Sequence, residues 1–335
     1  MSETAKMLAE TTSRLLAGQA GSMRADPAAL LASLREAGLD RALVPEEFGG
    51  VGCTLGEAAE VARAWGMHAA PLPIVEILLA PRLASACGNP ELAMYATVAQ
   101  ARKVSPGEDS TAETVLEAPV FPGCGTVLAA LPDGGKTKLA SFLCEGTPFS
   151  DLAGNTWVRI DPARGGAEEK LPLPADAAAG VAAEGAMLTA VLISGAMDHV
   201  VSTMIEYANT RSQFGRPIAR FQAVQHLIAD ASAEATVTRA AVQAALVDAD
   251  KGTLSTMDWL AAKAQAGRAA TLVASTAHQL LGAIGFTEEH ELHHFTKRLW
   301  WWRDDWGRQA DCEARLGTLA ASAGETGLWP AVVGE

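Results

Sequence analysis

Two segments in the C-terminal half hold residue types that suit a phosphate-bearing ligand. The first reads Tyr207-Ala208-Asn209-Thr210-Arg211-Ser212-Gln213-Phe214-Gly215-Arg216-Pro217-Ile218, followed by Phe221-Gln222-Ala223-Val224-Gln225-His226. Arg211 closes a long helical pattern beside a Gly/Pro break. A guanidinium fork at a helix terminus suits a phosphate or a carboxylate. A solvated arginine favoured by the helix dipole is the plainer alternative. The second segment, Gln279-Leu280-Leu281-Gly282-Ala283-Ile284-Gly285-Phe286-Thr287, pairs a side-chain amide with glycines that let a ligand approach the backbone. Its plainer alternative is a helix stopped by glycine. A third pattern, His290-Glu291-Leu292-His293-His294, satisfies H-E-x-x-H. On a helix His290 and His294 would share one face as zinc ligands, with Glu291 as general base. The pattern is short, and Glu313 is the only acid at moderate distance to complete the ligand set. A polar helix start with no metal is therefore preferred. Trp300, Trp301, Trp302 and Trp306 do not share one helix face, so a core or subunit contact is preferred over a substrate wall.

The elements that must position these residues fall in three zones. Residues 1–88 read as helices: Thr4–Leu16, a second begun by Asp26-Pro27 and stopped at Gly38, then Leu55–Met67 and Pro73–Ala86. The loop Val44-Pro45-Glu46-Glu47-Phe48-Gly49-Gly50-Val51-Gly52 interrupts them. Residues 89–178 change character. Thr114–Val120, Thr126–Leu131, Leu139–Cys144 and Trp157–Asp161 are short apolar runs between turn signals, which predicts a small antiparallel sheet or barrel. Residues 179–335 return to long helices, Glu184–Arg211, Phe221–Asp250 and Ser255–Leu281, spaced for a bundle.

Composition bounds the rest. Of 335 residues 49% are hydrophobic and 19% charged, ordinary for a packed chain of two or three domains. The net charge of −13 argues against nucleic-acid binding. Five cysteines, an odd number with no CxxC, argue against a disulfide framework or structural zinc and fit a reducing cytoplasm. The N-terminus lacks a signal-peptide pattern. The apolar stretch Gly180–Met197 contains Glu184 and reads as a buried core helix, not a membrane span.

The Arg211 and Gln279 segments, together with the Pro-Glu-Glu-Phe-Gly-Gly turn at 45–50, resemble the acyl-CoA dehydrogenase family. The resemblance spans nearly the whole chain in architecture, is specific in the third zone and weak in the middle one. It implies a mainly α fold with a small β domain: an N-terminal helical domain, a reduced middle β-barrel and a C-terminal four-helix bundle. It also implies FAD as cofactor and α,β-desaturation of an acyl-CoA thioester. By resemblance Arg211, Phe214, Gln279, Gly282 and Ala283 touch an FAD bound mainly by a neighbouring subunit, with Phe221-Gln222 near the adenine end. Ala283 replaces the family's usual second glycine.

The departures from the family pattern are informative. The family's usual base, a Glu in a Tyr-Glu-Gly-Thr segment, falls here at Trp306-Gly307, with Asp305 one residue off. The alternative family position falls at Asp250 or Lys251. Asp250 and Asp305 are therefore the candidate bases. The loop and Trp strand that hold the flavin ring in the family are missing; Ala96–Gln100 is the remnant of the loop, and the zone has no Trp before Trp157. The chain thus keeps what it lends to a neighbour's FAD and lacks what holds its own. This implies the shorter subunit of a heteromeric acyl-CoA dehydrogenase, of the kind that shortens steroid or bile-acid side chains, with electron-transfer flavoprotein as acceptor. The alternatives are a self-sufficient homomer using Asp250 or Asp305, and a non-catalytic assembly subunit. Lys297, Arg298 and Arg303 are candidate cations for the CoA phosphates.

Overall fold

The computed structural model describes residues 2–18, 25–93, 95–104 and 113–333. By contact the chain divides into two units. One comprises Met1–Val61 with Ala70–Gly185, the other Ala62–Ala69 with Ala186–Glu335.

The first unit begins with α1 (Glu3–Gly18) and α2 (Pro27–Glu36). The side chain of Asp26 accepts from the N–H of Ala28, and Pro27 takes the first helical position, where a missing N–H costs nothing. Gly38 adopts φ +69° just beyond the helix, as the stop requires. The 45–50 turn is a single 3-10 turn, Glu46–Phe48. A Cβ at Gly50 would stand 2.0 Å from the Val44 carbonyl oxygen, so the turn closes only around glycine. Helices α3 (Leu55–Met67) and α4 (Ile74–Ala86) follow, and α4 is buried along nearly its whole length.

Among the described residues eight strands form two four-stranded sheets. β1 (Ala96–Val98), β4 (Thr126–Asp133), β5 (Lys136–Leu143) and β8 (Glu169–Pro172) make one, in the order β1-β4-β5-β8. β2 (Gln100–Val104), β3 (Glu113–Pro119), β7 (Thr156–Ile160) and β6 (Thr147–Ser150) make the other, in the order β2-β3-β7-β6. All pairings are antiparallel except β1 with β4, which is parallel. Alternate residues from both sheets, Leu116 and Ala118, Val127 and Ala129, Ala140 and Phe142, Val158 and Ile160, form one core, as a period of two dictates. The unit ends in the first turns of α5 (Ala175–Thr210), where Arg82 grips Glu184 through two bonds of 2.6 and 2.8 Å.

The second unit is a helix bundle: the rest of α5, α6 (Gln222–Asp250), α7 (Thr256–Leu281), α8 (Leu292–Asp304) and α9 (Gln309–Val333). Helix α7 packs on α6, α8 and α9, and its buried face is dominated by alanine, which allows close approach. Ser255 and Asp258 form a capping box at its start. The end of α3 belongs to this unit and crosses α5 at backbone contact. A Cβ at Gly66 would stand 2.0 Å from the Leu192 oxygen, and one at Gly195 would stand 2.1 Å from the Arg63 oxygen. Asp198, one turn on, is clasped by Arg63 at 2.7 Å and by Arg239. Helix α5 and the stretch 256–286 are long and apolar enough to cross a membrane, yet their most apolar windows are 61% and 50% buried inside the protein, as core helices are.

Candidate functional site

Arg211 follows directly on α5, its N–H still bonded to the Tyr207 oxygen at 2.9 Å. A minimal hairpin comes next, β9 (Ser212–Gln213) against β10 (Arg216–Pro217). Its two-residue loop is Phe214-Gly215, with φ of +53° and +79°. Positive φ at both loop residues marks a type I′ turn, which favours Asn-Gly. Phe214 pays the left-handed strain of about 1–2 kcal/mol that a Cβ brings there. It gains almost no burial in return, being 91% exposed, with an edge contact to Phe221 at 6.1 Å. Arg216 lies over the Phe221 ring at 4.3 Å. Gln222 opens α6 and is exposed.

Tyr207 ties this corner to the second segment. Its hydroxyl donates to the Leu281 oxygen at 3.5 Å, one residue before Gly282. The segments carrying Arg211, Phe214 and Gln222 and those carrying Gln279, Gly282 and Ala283 therefore share one end of the bundle. Gly282 has φ +62° and ψ −140°, a conformation reserved for glycine. A 3-10 turn, Gly282–Phe286, exposes Ala283, Ile284 and Phe286. Gly285 is buried, and a Cβ there would press on Leu292 at 3.0 Å. Gln279 and Arg211 are exposed, and among the described residues neither side chain has a hydrogen-bonding or ion-pair partner.

Two cavities adjoin this end. One, about 400 Å³, lies between α5 and the 289–291 loop and is lined by Glu206, Tyr207, Thr210, Glu289, His290 and Glu291. The other, about 220 Å³, is lined by His278, Phe286, His293, Lys297 and Trp300. His278 stacks on Phe286 at 4.1 Å and Trp300 at 5.8 Å, and shares a 2.9 Å bond with the Thr296 hydroxyl. Its Nδ1 is buried without a partner. Burial, then the neighbouring His293, hold its pKa below the ordinary histidine value. Sequence reasoning missed His278; a histidine on the apolar face of α7, one place before Gln279, is the signal that was available.

The sign of the pH dependence follows. A histidine with a depressed folded pKa binds its proton less readily than in the unfolded chain, so below about 6.5 the unfolded state takes up more protons and stability falls. His68 is depressed by burial and by His199, and acts in the same direction. Glu291, held low by the 2.7 Å bond to His199, adds a further loss when pH falls through its own lowered value. The melting temperature is therefore expected to drop between pH 7 and pH 5, with a shallower slope in His278→Gln. An unchanged slope in that variant would remove His278 from the account.

The H-E-x-x-H pattern does not lie on one helix. Helix α8 starts only at Leu292, so His290 and Glu291 precede it and His290 does not share a helical face with His294. The His290 Nδ1 accepts from the Leu292 N–H at 3.0 Å, and Glu291 pairs with His199. Among the described residues no group of three or more His, Cys, Asp and Glu could hold a metal. Of the candidate cations, Arg298 is buried and donates to the His294 oxygen, and Arg303 pairs with Asp304 at 2.7 Å. Lys297 alone of the three is exposed, at the smaller cavity.

Both candidate bases lie away from the Gly282 end. Asp250 is exposed at the far end of α6, about 40 Å along the axis from Gln222. Asp305 is buried just past α8, about 20 Å along that helix from the 282–286 turn. Lys263, with no exposed surface, donates beside it to the oxygens of Trp302, Arg303 and Gly307 at 2.9–3.1 Å. Trp306 is buried there with φ +50°, and Trp300 lines the smaller cavity.

Helices, two facing sheets and a helix bundle whose α5 and α7 ends come together define the class, the acyl-CoA dehydrogenase fold. The acyl-CoA dehydrogenase C-terminal domain matches residues 176–300. The acyl-CoA dehydrogenase IpdE2 of Mycobacterium tuberculosis is 30% identical over 313 residues, covering 88% of this chain and 91% of that protein. A chain of the ChsE4-ChsE5 complex from Mycobacterium tuberculosis superposes with a TM-score of 0.78 at 20% identity, over 96% of this chain and 98% of that one. The Tcur3481-Tcur3483 steroid ACAD gives 0.82 at 20% identity, again over 96% and 98%. The chain belongs to the acyl-CoA dehydrogenase family of flavoprotein oxidoreductases.

Proposed function

We propose that this chain is the subunit of a heteromeric acyl-CoA dehydrogenase that completes an FAD site held mainly by its partner. The observation that carries the reading is Phe214, an exposed aromatic kept on a strained I′ turn beside Arg211 and Gln279, whose polar groups have no protein partner among the described residues. Strain that buys no burial marks a residue retained for contact with something else. The set fits FAD: a guanidinium fork for a phosphate, an amide donor, an open backbone at Gly282 and an aromatic wall. FAD, when bound, supplies the hydride acceptor for α,β-desaturation. Arg211 would hold the diphosphate, with Gln279 as an amide donor to it, Phe214 as a wall against water and Gln222 on the adenine side. Ala283 adds a methyl group where the backbone would otherwise approach the diphosphate directly.

The base is assigned to the partner subunit. A proton-abstracting carboxylate needs a dry and accessible position. Asp250 is wet, and Asp305 is buried beside the carbonyls that hold Lys263. The similarity to a two-protein steroid acyl-CoA dehydrogenase supports a bulky, steroid-type acyl-CoA as substrate. An electron-transfer flavoprotein is the fitting acceptor, in the cytoplasm.

Phe214→Asn tests this reading. Asparagine relieves the I′ turn, so the chain alone is expected to melt at the same or a higher temperature. The assembled complex is expected to bind flavin several-fold more weakly, since an aromatic contact is worth about 0.5–1.5 kcal/mol beyond its buried area. Undiminished flavin affinity in the complex would take Phe214 out of the site.

A further inference from the structure

The sheet unit holds two thiols that the chemistry above leaves unused. Cys124 lies two residues before β4 and Cys144 directly after β5, so they flank one hairpin. The register Thr126↔Leu143 and the bond from the Cys144 N–H to the Gly125 oxygen at 3.0 Å carry both onto neighbouring chain segments. Their sulfurs are 3.9 Å apart, and the Cys124 thiol has two acceptors in range, the Cys144 sulfur and the Thr126 oxygen at 3.7 Å. Both are half-buried, so a small reagent can reach them. The backbone around Cys124 is pinned: its N–H bonds the Phe121 oxygen at 2.9 Å, and the Gly125 N–H bonds the Tyr95 oxygen at 3.0 Å. Bringing the sulfurs to bonding distance requires closing about 2 Å, a movement of side chains rather than strands.

We propose that Cys124 and Cys144 form a reversible dithiol–disulfide pair, closed by exchange with a low-molecular-weight disulfide. The Cys144 thiolate attacks one sulfur of the small disulfide, whose S–S bond breaks and releases one thiol that takes up a proton. Cys124, losing its own proton, then attacks the Cys144 sulfur of the mixed disulfide and releases the second small thiol. Two protein thiols are oxidised and one small disulfide is reduced to two thiols, so electrons and protons balance. The order follows from the hydrogen bond. It holds the Cys144 thiol below its ordinary pKa, whereas the same bond and burial push Cys124 up. The product staples the turn before β4 to the end of β5, closing a loop across the hairpin.

The test uses the full chain in a series of glutathione/glutathione-disulfide buffers, with alkylation of free thiols and peptide mass mapping. The expected result is a Cys124–Cys144 linked peptide, reversed by dithiothreitol, with a melting temperature raised by roughly 5 °C. In Cys124→Ser a mixed disulfide is expected to accumulate on Cys144. In Cys144→Ser only burial still raises the Cys124 thiol, so residue 124 is expected to react more slowly than Cys144 does in Cys124→Ser. The pair is overturned if the most oxidising buffer modifies Cys53 or Cys87 and leaves 124 and 144 unlinked. Equal rates in the two serine variants overturn the assignment of Cys144 as the attacking thiol.

Discussion

Replacing Arg211 by alanine is expected to empty the flavin site of the assembled complex while this chain stays folded. The guanidinium is exposed and pairs with no carboxylate among the described residues, so its removal costs the fold within about 0.5 kcal/mol. Its proposed partner is a phosphate, for which a planar fork offers two parallel charge-assisted bonds. Truncating one side of such a pair costs about 3 kcal/mol, a loss of about a hundredfold in affinity. Flavin absorbance per chain, measured on the purified complex, reads this directly. Circular dichroism and the melting temperature of the chain alone read the fold. Arg211→Lys keeps the charge without the fork and should fall between the two. Unchanged flavin stoichiometry in the alanine variant would end the half-site assignment. A colourless variant with an unchanged melt is the outcome the geometry calls for.

Lys263→Met is expected to produce the largest loss of stability. The side chain has no exposed surface, and its ammonium satisfies three backbone oxygens where α8 ends. Two of those oxygens, from Trp302 and Arg303, belong to the negative end of the α8 dipole, where a cation is favoured. Methionine fills similar space without the charge, so the three acceptors lose their shared donor. The Trp302 oxygen keeps the Asp305 N–H at 3.3 Å. Stranding the other two acceptors costs about 1–3 kcal/mol each, a net of about 2–5 kcal/mol. That is a large share of the 5–15 kcal/mol typical of a folded domain. A melting temperature lower by about 10 °C is expected. A fall of under about 2 °C would mean that water replaces the ammonium without penalty. Because Lys263 lies at the Asp305 end of α8, flavin content in the complex should change far less than in Arg211→Ala.

The helical parts of the fold were readable because their signals are local. Asp26-Pro27 and Gly38 mark a helix that the structure bounds at Pro27 and Glu36, and Leu55–Met67 matches to the residue. The helical pattern points to a start at Glu184, whereas α5 starts at Ala175, because Gly180 dilutes the pattern in its opening turns. Strands β6 and β8 leave no such signal: both are four residues long and mostly exposed, with no alternating apolar face. The parallel pairing of β1 with β4 had no local trace, since it joins segments 30 positions apart. At the site, Arg211 and Gln279 were legible as polar groups at helix ends. The strain at Phe214 was not, because it resides in a backbone angle. Nor was the fate of His290 and Glu291, which depended on α8 starting two residues too late to use them as a pair.

The glycine crossing of α3 and α5 bears on the order in which this protein can be completed. The bundle takes eight of its residues, Ala62–Ala69, from the N-terminal part of the chain. Arg63 and Asp198, which join across that crossing, are 135 positions apart. At synthesis rates of about 5–20 residues per second, the segment waits on the order of ten seconds for the helix that receives it. Until then the backbone at Arg63 and Gly66 lacks the Gly195 and Leu192 backbone that it packs against. A single cut therefore cannot free the bundle as an intact piece: any fragment that begins after the sheets leaves behind the strip of helix against which α5 is shaped.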